Sequence, residues 1–112
     1  MPSRISNSHI MIFVTCSSKE EAQKISKALI FKKLAACGNI IPGVDSIFTW
    51  KGRLEQAKEV LLVLKTRGSL FKKVALQIKK IHSYEVPEII GVPILKGDRT
   101  YLKWIDEVTS AK

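Results

Sequence analysis

The sequence predicts an α+β fold in which four strands and two main helices alternate along one domain. The 112-residue length suits a single domain with one core. Short apolar runs indicate strands, whereas longer amphipathic stretches repeat at helical spacing. Two long apolar segments flank Lys51-Gly52, and this arrangement predicts a β-hairpin.

The first strand is expected over residues 9–15, where the run H-I-M-I-F-V-T is apolar at nearly every position. Such a run is typical of a central strand buried on both faces. Ser17 and Ser18 are each followed three residues later by a glutamate, the spacing of a capping box. Apolar residues at helical spacing then predict a helix over residues 18–34. Residues 1–8 are expected to be a disordered lead-in, and residues 9–112 a single domain.

The central hairpin is unusually long. Its first arm begins near Asn39 and ends at Trp50, with a bulge expected at Pro42 because proline removes a ladder donor. The second arm returns from Leu54 to Thr66. Each arm runs to about a dozen residues, roughly twice the usual strand length. Arms of this length project beyond a four-stranded sheet, so their ends need a partner and an oligomer is expected.

The second half of the chain repeats the helix–strand pattern. Ser69 is expected to cap a helix over residues 69–82, and an edge strand is expected over 89–95, which holds a glycine and a proline. A last short helix follows Gly97-Asp98. The order predicts a ferredoxin-like βαββαβ sandwich with a long hairpin and a C-terminal helix. Two helices would cover one sheet face and leave the other for a second subunit.

Charge is concentrated in the first two-thirds of the chain. The net charge is +9, with 15 basic and 5 acidic residues before position 81 and a net of −1 after it. Such a surplus attracts nucleic acid or anionic surfaces. The aromatic RNA-binding signature is missing and the third strand is aliphatic, so no specific nucleic-acid partner is predicted. The apolar runs are too short to cross a bilayer, and no membrane partner is predicted.

Two cysteines without a Cys-x-x-Cys pair indicate reduced thiols in a cytoplasmic protein. No phosphate-binding glycine loop and no set of nucleophile, base and orienting residue can be found. The sequence therefore predicts a protein that is not an enzyme and has no obligatory cofactor.

The richest chemical cluster follows the second helix, where His82, Tyr84, Glu85 and Glu88 fall within seven residues. Imidazole and carboxylate suit divalent copper, zinc or nickel. Alternatively, His82 is favoured only by the dipole at the helix C-terminus. Because a closed zinc site needs four ligands, a subunit contact would have to complete this one.

Cys16 is the remaining candidate ligand. It precedes the first helix, where a thiolate is favoured, although a small apolar filler is the simpler role for such a cysteine. Trp50 at the hairpin tip and Trp104 in the last helix are expected either to anchor a subunit contact or to cap their own sheet.

Five segments together resemble one known family, the CutA divalent-cation tolerance proteins. They are K-L-A-A-C-G-N-I-I-P-G-V (33–44), S-I-F-T-W-K-G-R-L-E (46–55), E-V-L-L-V-L-K-T (59–66), I-H-S-Y-E-V-P-E-I-I (81–90) and G-D-x-x-Y-L-x-W (97–104). The resemblance covers roughly residues 10–110. It implies a compact homotrimer in which hairpins join sheets between subunits. Because extended intersubunit sheets remove exposed edges and the connections are short, the protein is expected to resist heat.

The resemblance also implies a metal site. His82 and Glu88 match a histidine and a glutamate linked to metal binding in some members, and Ser83 replaces the usual proline between them. Thr15 stands where some members carry a thiol, one position before Cys16. Tyr84 and Pro87 of the same motif, with Trp50 and Trp104, are assigned to the trimer interface or its support.

The predicted function is a trimeric, non-catalytic protein of metal homeostasis that binds copper or another divalent ion weakly. The alternatives are a signalling module with the architecture of PII proteins, which binds a small ligand at subunit clefts, and an RNA-binding module. Each would respond to a different probe: a divalent ion, a metabolite, or RNA in low salt.

Overall fold

The structure, a computed structural model, describes residues 9–110. Its elements are β1 (His9–Cys16), α1 (Lys19–Phe31), β2 (Cys37–Trp50), β3 (Arg53–Arg67), a 3-10 turn (Gly68–Leu70), α2 (Phe71–Ile81), β4 (Ile90–Pro93) and α3 (Arg99–Val108). This is the predicted order, and the α+β fold class is confirmed. The predicted lead-in at residues 1–8 lies outside the described residues.

One antiparallel sheet has the strand order β2-β3-β1-β4. β4 lies at an edge, as its glycine and proline predicted. β1 is central, but only one of its faces is fully buried in the single chain. Ile10, Ile12, Val14 and Cys16 are buried there, whereas the alternate residues are half-buried. The expectation of burial on both faces thus holds for one face only.

The core lies between the sheet and the paired helices α1 and α2. Side chains from all three parts are inaccessible to solvent: Ile12, Val14, Ile25, Leu29, Leu62, Leu64, Val74 and Ile78. Burying a side chain of this size contributes about 1.5–3 kcal/mol relative to leaving it exposed. α1 and α2 therefore turn their apolar stripes inward, and their polar faces point outward.

α3 contacts the opposite face of the sheet at one end. His9 Nε2 lies 2.9 Å from Asp106 Oδ1, and Arg67 Nε donates to Thr109 Oγ1 at 2.9 Å. His9 and Arg67 are paired neighbours on β1 and β3. The second face is thus partly covered by this chain's own terminal helix, whereas the sequence assigned it wholly to another subunit.

The hairpin contains the expected bulge and a tight turn. Pairing between β2 and β3 shifts between Ile41 and Val44, and Gly43 has a φ of +82°. Trp50 pairs with Arg53, and both loop residues have positive φ, +52° at Lys51 and +77° at Gly52. Positive φ at both central positions is the type I′ arrangement, which matches the twist of the strands.

Helix capping differs from the prediction at one place. Ser18 caps α1, because its Oγ accepts from the Glu21 amide at 3.0 Å, and Asp98 caps α3 through the Tyr101 amide at 3.2 Å. Ser69 was expected to cap the second helix, and this is wrong. It lies inside the 3-10 turn, and Leu70 precedes α2 without a side-chain cap.

Candidate metal centre

Three side chains with metal-binding atoms meet where β1 ends, α1 begins and α2 ends. The ligand atoms of Cys16, Glu21 and His82 all lie within 4.8 Å of one another. Cys16 is the last residue of β1, Glu21 lies in the first turn of α1, and His82 caps the C-terminus of α2. The packing of both helices on the central strand brings the three together.

His82 is held by two backbone groups. Its Nε2 lies 2.8 Å from the carbonyl oxygen of Thr15, and its Nδ1 lies 3.0 Å from the amide nitrogen of Tyr84. A carbonyl only accepts and an amide only donates, so Nε2 carries the proton and Nδ1 does not. His82 is therefore neutral in this arrangement, and its side chain is fully shielded from solvent.

Glu21 fastens the start of α1 to the loop that follows α2. Its Oε1 accepts from the Ser17 amide at 2.8 Å and hydroxyl at 2.9 Å, and its Oε2 accepts from the Ser83 amide at 2.7 Å. Burial alone would raise the pKa of Glu21, but these hydrogen bonds outweigh it and lower the pKa from 4.5 to about 2. The carboxylate is therefore ionised at neutral pH.

Cys16 is a protonated thiol in this arrangement. It is inaccessible to solvent. Burial is the largest cause that raises the pKa of its thiol to about 12, and the nearby carboxylates of Glu21 and Glu59 contribute less. A reactive cysteine needs the opposite environment, partly exposed and electropositive. Cys16 consequently behaves as a small apolar side chain while no ion is bound.

The donor set nevertheless suits a borderline-soft divalent ion. Thiolate, imidazole and carboxylate all ligate zinc, with bonds of about 2.0–2.3 Å, so a bound ion brings its ligands within roughly 4.6 Å of one another. His82 Nδ1 and Glu21 Oε2 are 3.8 Å apart, and the whole set spans at most 4.8 Å. An ion would have to displace the Cys16 proton and the Tyr84 amide from Nδ1. Both displacements lower the affinity.

A separate cavity of about 370 Å³ adjoins this group on the second sheet face. The Tyr84 hydroxyl donates to Glu59 Oε2 at 2.7 Å within it, and burial together with this carboxylate raises the tyrosine pKa. Its other walls are formed by Thr15, Ser46, Ile47, Phe48, Trp50, Val86 and Glu88. Of the predicted ligands, Glu88 is exposed and lines this cavity.

The structure therefore brings two of the three predicted ligands, Cys16 and His82, into one group and leaves Glu88 outside it. Glu21 joins the group, although the sequence showed it only as a helix-capping residue. No local signal could have revealed it, because Glu21 and Ser83 meet across 62 positions of sequence.

The predicted interface residues occupy varied positions. Trp50 is 37% exposed at the hairpin tip, with Lys51 Nζ 5.7 Å from the centre of its ring. Trp104 is 38% exposed on α3, and its ring lies 5.5 Å from that of Tyr101. Pro87 is half-buried in the loop before β4. Both tryptophans leave a third or more of their surface open in the single chain.

Comparison with known proteins identifies the family. A family model for the CutA1 divalent ion tolerance protein matches residues 10–108. The chain belongs to this family. A CutA from Archaeoglobus fulgidus is 46% identical over 99 residues, which are 88% of this chain and 96% of that protein. The human CutA is 41% identical over 99 residues, again 88% of this chain. The chain spans about half the length of the mammalian relatives, 55% of the human protein.

Solved CutA structures share the fold. The Archaeoglobus fulgidus structure superimposes with a TM-score of 0.89 at 44% identity, covering 91% of this chain and 99% of that one. The Thermus thermophilus structure gives 0.88 at 42% identity, with coverage of 91% and 99%. The comparisons support the CutA assignment and give no support to the PII-like alternative. Within residues 9–110, no helix is long and apolar enough to cross a membrane.

Proposed function

We propose that this CutA-family chain acts in divalent-cation tolerance by binding a divalent ion weakly at the group of Cys16, Glu21 and His82. The observation that carries the proposal is the convergence of sulfur, oxygen and nitrogen donors within 4.8 Å. Three protein ligands leave the fourth coordination position of the ion open to water or to a ligand from another molecule. Copper is favoured over nickel or manganese at such a site by the Irving–Williams order.

We propose further that the role is non-catalytic, needs no obligatory cofactor and is carried out in the cytoplasm. A protonated, buried thiol is a poor nucleophile, which argues against covalent chemistry at Cys16. Some relatives are named for other compartments, among them a chloroplastic CutA from Arabidopsis thaliana and a periplasmic CutA from Archaeoglobus fulgidus. The cytoplasmic location rests on the reduced cysteines alone.

We also propose that the chain assembles as a homotrimer through the hairpin. Large apolar side chains are exposed along it: Ile41 (46%), Ile47 (66%), Phe48 (42%) and Leu54 (74%). A single soluble chain rarely leaves so much apolar surface on one projecting element. Sedimentation equilibrium should give three times the chain mass at micromolar concentration, and the assembly should melt well above 65 °C, the upper end for mesophile domains. A folded monomer would overturn this assignment.

Zinc titration followed by calorimetry tests the metal proposal. Zinc is used because it has no redox chemistry that could oxidise a thiol. The wild type should bind zinc, and Cys16→Ser should bind at least about tenfold more weakly, because a thiolate ligand is lost. Equal affinity in Cys16→Ser and the wild type would exclude the group as the site.

Glu88→Gln provides the matched carboxylate variant. Glu88 was predicted as a ligand beside His82, and it is exposed outside the group. If the group alone holds zinc, Glu88→Gln should bind within about twofold of the wild type, whereas Glu21→Gln should bind more weakly. A loss of zinc affinity in Glu88→Gln without a loss in Glu21→Gln would instead support Glu88 as the carboxylate ligand, as the sequence predicted.

A further inference from the structure

The outer surface of the helical layer carries many lysines and almost no acidic residues. Eight of them, called here the lysine face, are exposed on or next to α1 and α2: Lys24, Lys27, Lys32, Lys33, Lys72, Lys73, Lys79 and Lys80. Among residues 9–110, none of the eight forms an ion pair. The two helices carry only two acidic residues, Glu20 and Glu21. The carboxylate of Glu21 already accepts hydrogen bonds from Ser17 and Ser83.

Exposed apolar side chains lie among these lysines. Phe31 is 87% exposed at the end of α1, Ile30 is 42% exposed, and Leu76 is 62% exposed in the middle of α2. β1 and β3 are antiparallel, so the helices that follow them run in opposite directions. The end of α1, with Phe31, Lys32 and Lys33, therefore lies at the same end of the layer as the start of α2, with Lys72 and Lys73.

We propose that the lysine face binds the surface of an anionic phospholipid bilayer. Lysines near such a surface each add to the attraction, and protruding phenylalanine and leucine side chains can enter the headgroup region. The patch holds lysine and no arginine, and lysine acts as a point charge without the fork that reads individual phosphates. That composition favours a diffuse anionic surface over a nucleic-acid groove. Membrane association of this kind needs no spanning helix, and it departs from the sequence expectation of no membrane partner.

The position of the face also fits this occupant. The hairpin and the second sheet face are the surfaces we assign to assembly, whereas α1 and α2 cover the opposite face of the sheet and point away from it. Assembly through those surfaces therefore leaves the lysine face of each copy open to a membrane.

Vesicle co-sedimentation of the full chain tests the proposal. The probes are vesicles of neutral phosphatidylcholine and vesicles that contain 30% phosphatidylserine. We expect binding to the anionic vesicles only, with affinity falling as salt rises. The quadruple variant Lys32→Gln/Lys33→Gln/Lys72→Gln/Lys73→Gln should weaken binding by at least about tenfold. In the wild-type background, Phe31→Ser should weaken vesicle binding most clearly at 0.3 M salt, because charge is screened there and the apolar contact remains.

A charge-matched control separates this face from net charge. Lys51→Gln/Lys58→Gln/Lys96→Gln/Lys103→Gln removes four exposed lysines that lie off the two helices. Because Lys51 and Lys58 belong to the hairpin that we assign to assembly, both quadruple variants are first shown by sedimentation equilibrium to keep the mass of the wild-type assembly. It should retain affinity within about threefold if the lysine face is the contact. An equal loss in both quadruple variants, equal binding to neutral vesicles, or no vesicle binding alongside salt-sensitive binding to RNA would each overturn the proposal.

Discussion

The imidazole Nε2 of His82 lies 2.8 Å from the carbonyl oxygen of Thr15, a bond that joins the end of α2 to the central strand. Together with the Tyr84 amide on Nδ1, it fixes the ring, its tautomer and the start of the following loop. The same ring is the nitrogen donor of the candidate metal site. His82 therefore has a structural role in the metal-free chain that is independent of any ion.

Replacing His82 should destabilise the fold even without metal. His82→Ala leaves a cavity and removes a partner from two backbone groups, so we expect a loss of about 3 kcal/mol in the free energy of unfolding. His9→Ala is the matched control, because His9 makes one side-chain bond to the half-exposed Asp106. It should cost about 1 kcal/mol or less. Urea denaturation at one fixed protein concentration measures both, and similar losses would contradict the role assigned to His82.

Glu21 should give the protein an acid-sensitive component of stability. The pKa of Glu21 in the folded chain, about 2, lies below the ordinary glutamate pKa of 4.5. A lowered folded pKa stabilises the fold above the unfolded value, and that contribution is lost as pH falls from about 4.5 to about 2. Glu21→Gln should therefore be less stable than the wild type at pH 7, and the difference should shrink towards pH 2.5. A difference that stays constant with pH would show that the charge of Glu21 is unimportant.

The two cysteines should differ sharply in reactivity. With a thiol pKa of about 12 and no solvent exposure, Cys16 should resist a thiol reagent at pH 8, where only about 10⁻⁴ of it is ionised. Cys37 is half-buried and should react. We expect one reactive thiol per native chain and two in guanidinium chloride. The native Cys37→Ser variant should show no reactive thiol, and rapid labelling of that variant would contradict the closed environment of Cys16.

Ser26 is a position where stability can be gained. Within residues 9–110 its Oγ is the one buried side-chain polar atom without a hydrogen-bond partner. Ser26→Ala removes that cost and improves helix propensity in α1, so we expect a gain of about 1 kcal/mol. A Cβ added at Gly38 would lie 2.6 Å from this Oγ. Gly38→Ala should accordingly be less harmful in the Ser26→Ala background, and equal effects in both backgrounds would contradict the contact.

The fold was largely predictable because its signals are local. Helical spacing, the Ser18 cap, the bulge at Pro42 and the edge position of β4 each depend on a few neighbouring residues. The Ser69 cap failed because a short 3-10 turn precedes α2 and places Ser69 within itself, before the helix begins. Propensity alone does not distinguish these two uses of a serine.

The candidate site was only half predictable because it is built from tertiary contacts. Cys16 and His82 were candidates from their residue types, but nothing in the sequence indicated that Glu21 would meet Ser83 or that His82 would be occupied by Thr15. Glu88 was selected because it is close to His82 in sequence. The loop between them places it against the neighbouring cavity.

X-ray absorption at the zinc edge tests the central claim most directly, because it reports the atoms bound to the ion. For the zinc-loaded wild type we predict one sulfur at about 2.3 Å, with nitrogen and oxygen at about 2.0–2.2 Å. The sulfur should disappear in Cys16→Ser and persist in Cys37→Ser. A zinc shell of nitrogen and oxygen alone in the wild type, or a sulfur lost only in Cys37→Ser, would contradict the assignment of the ion to Cys16, Glu21 and His82.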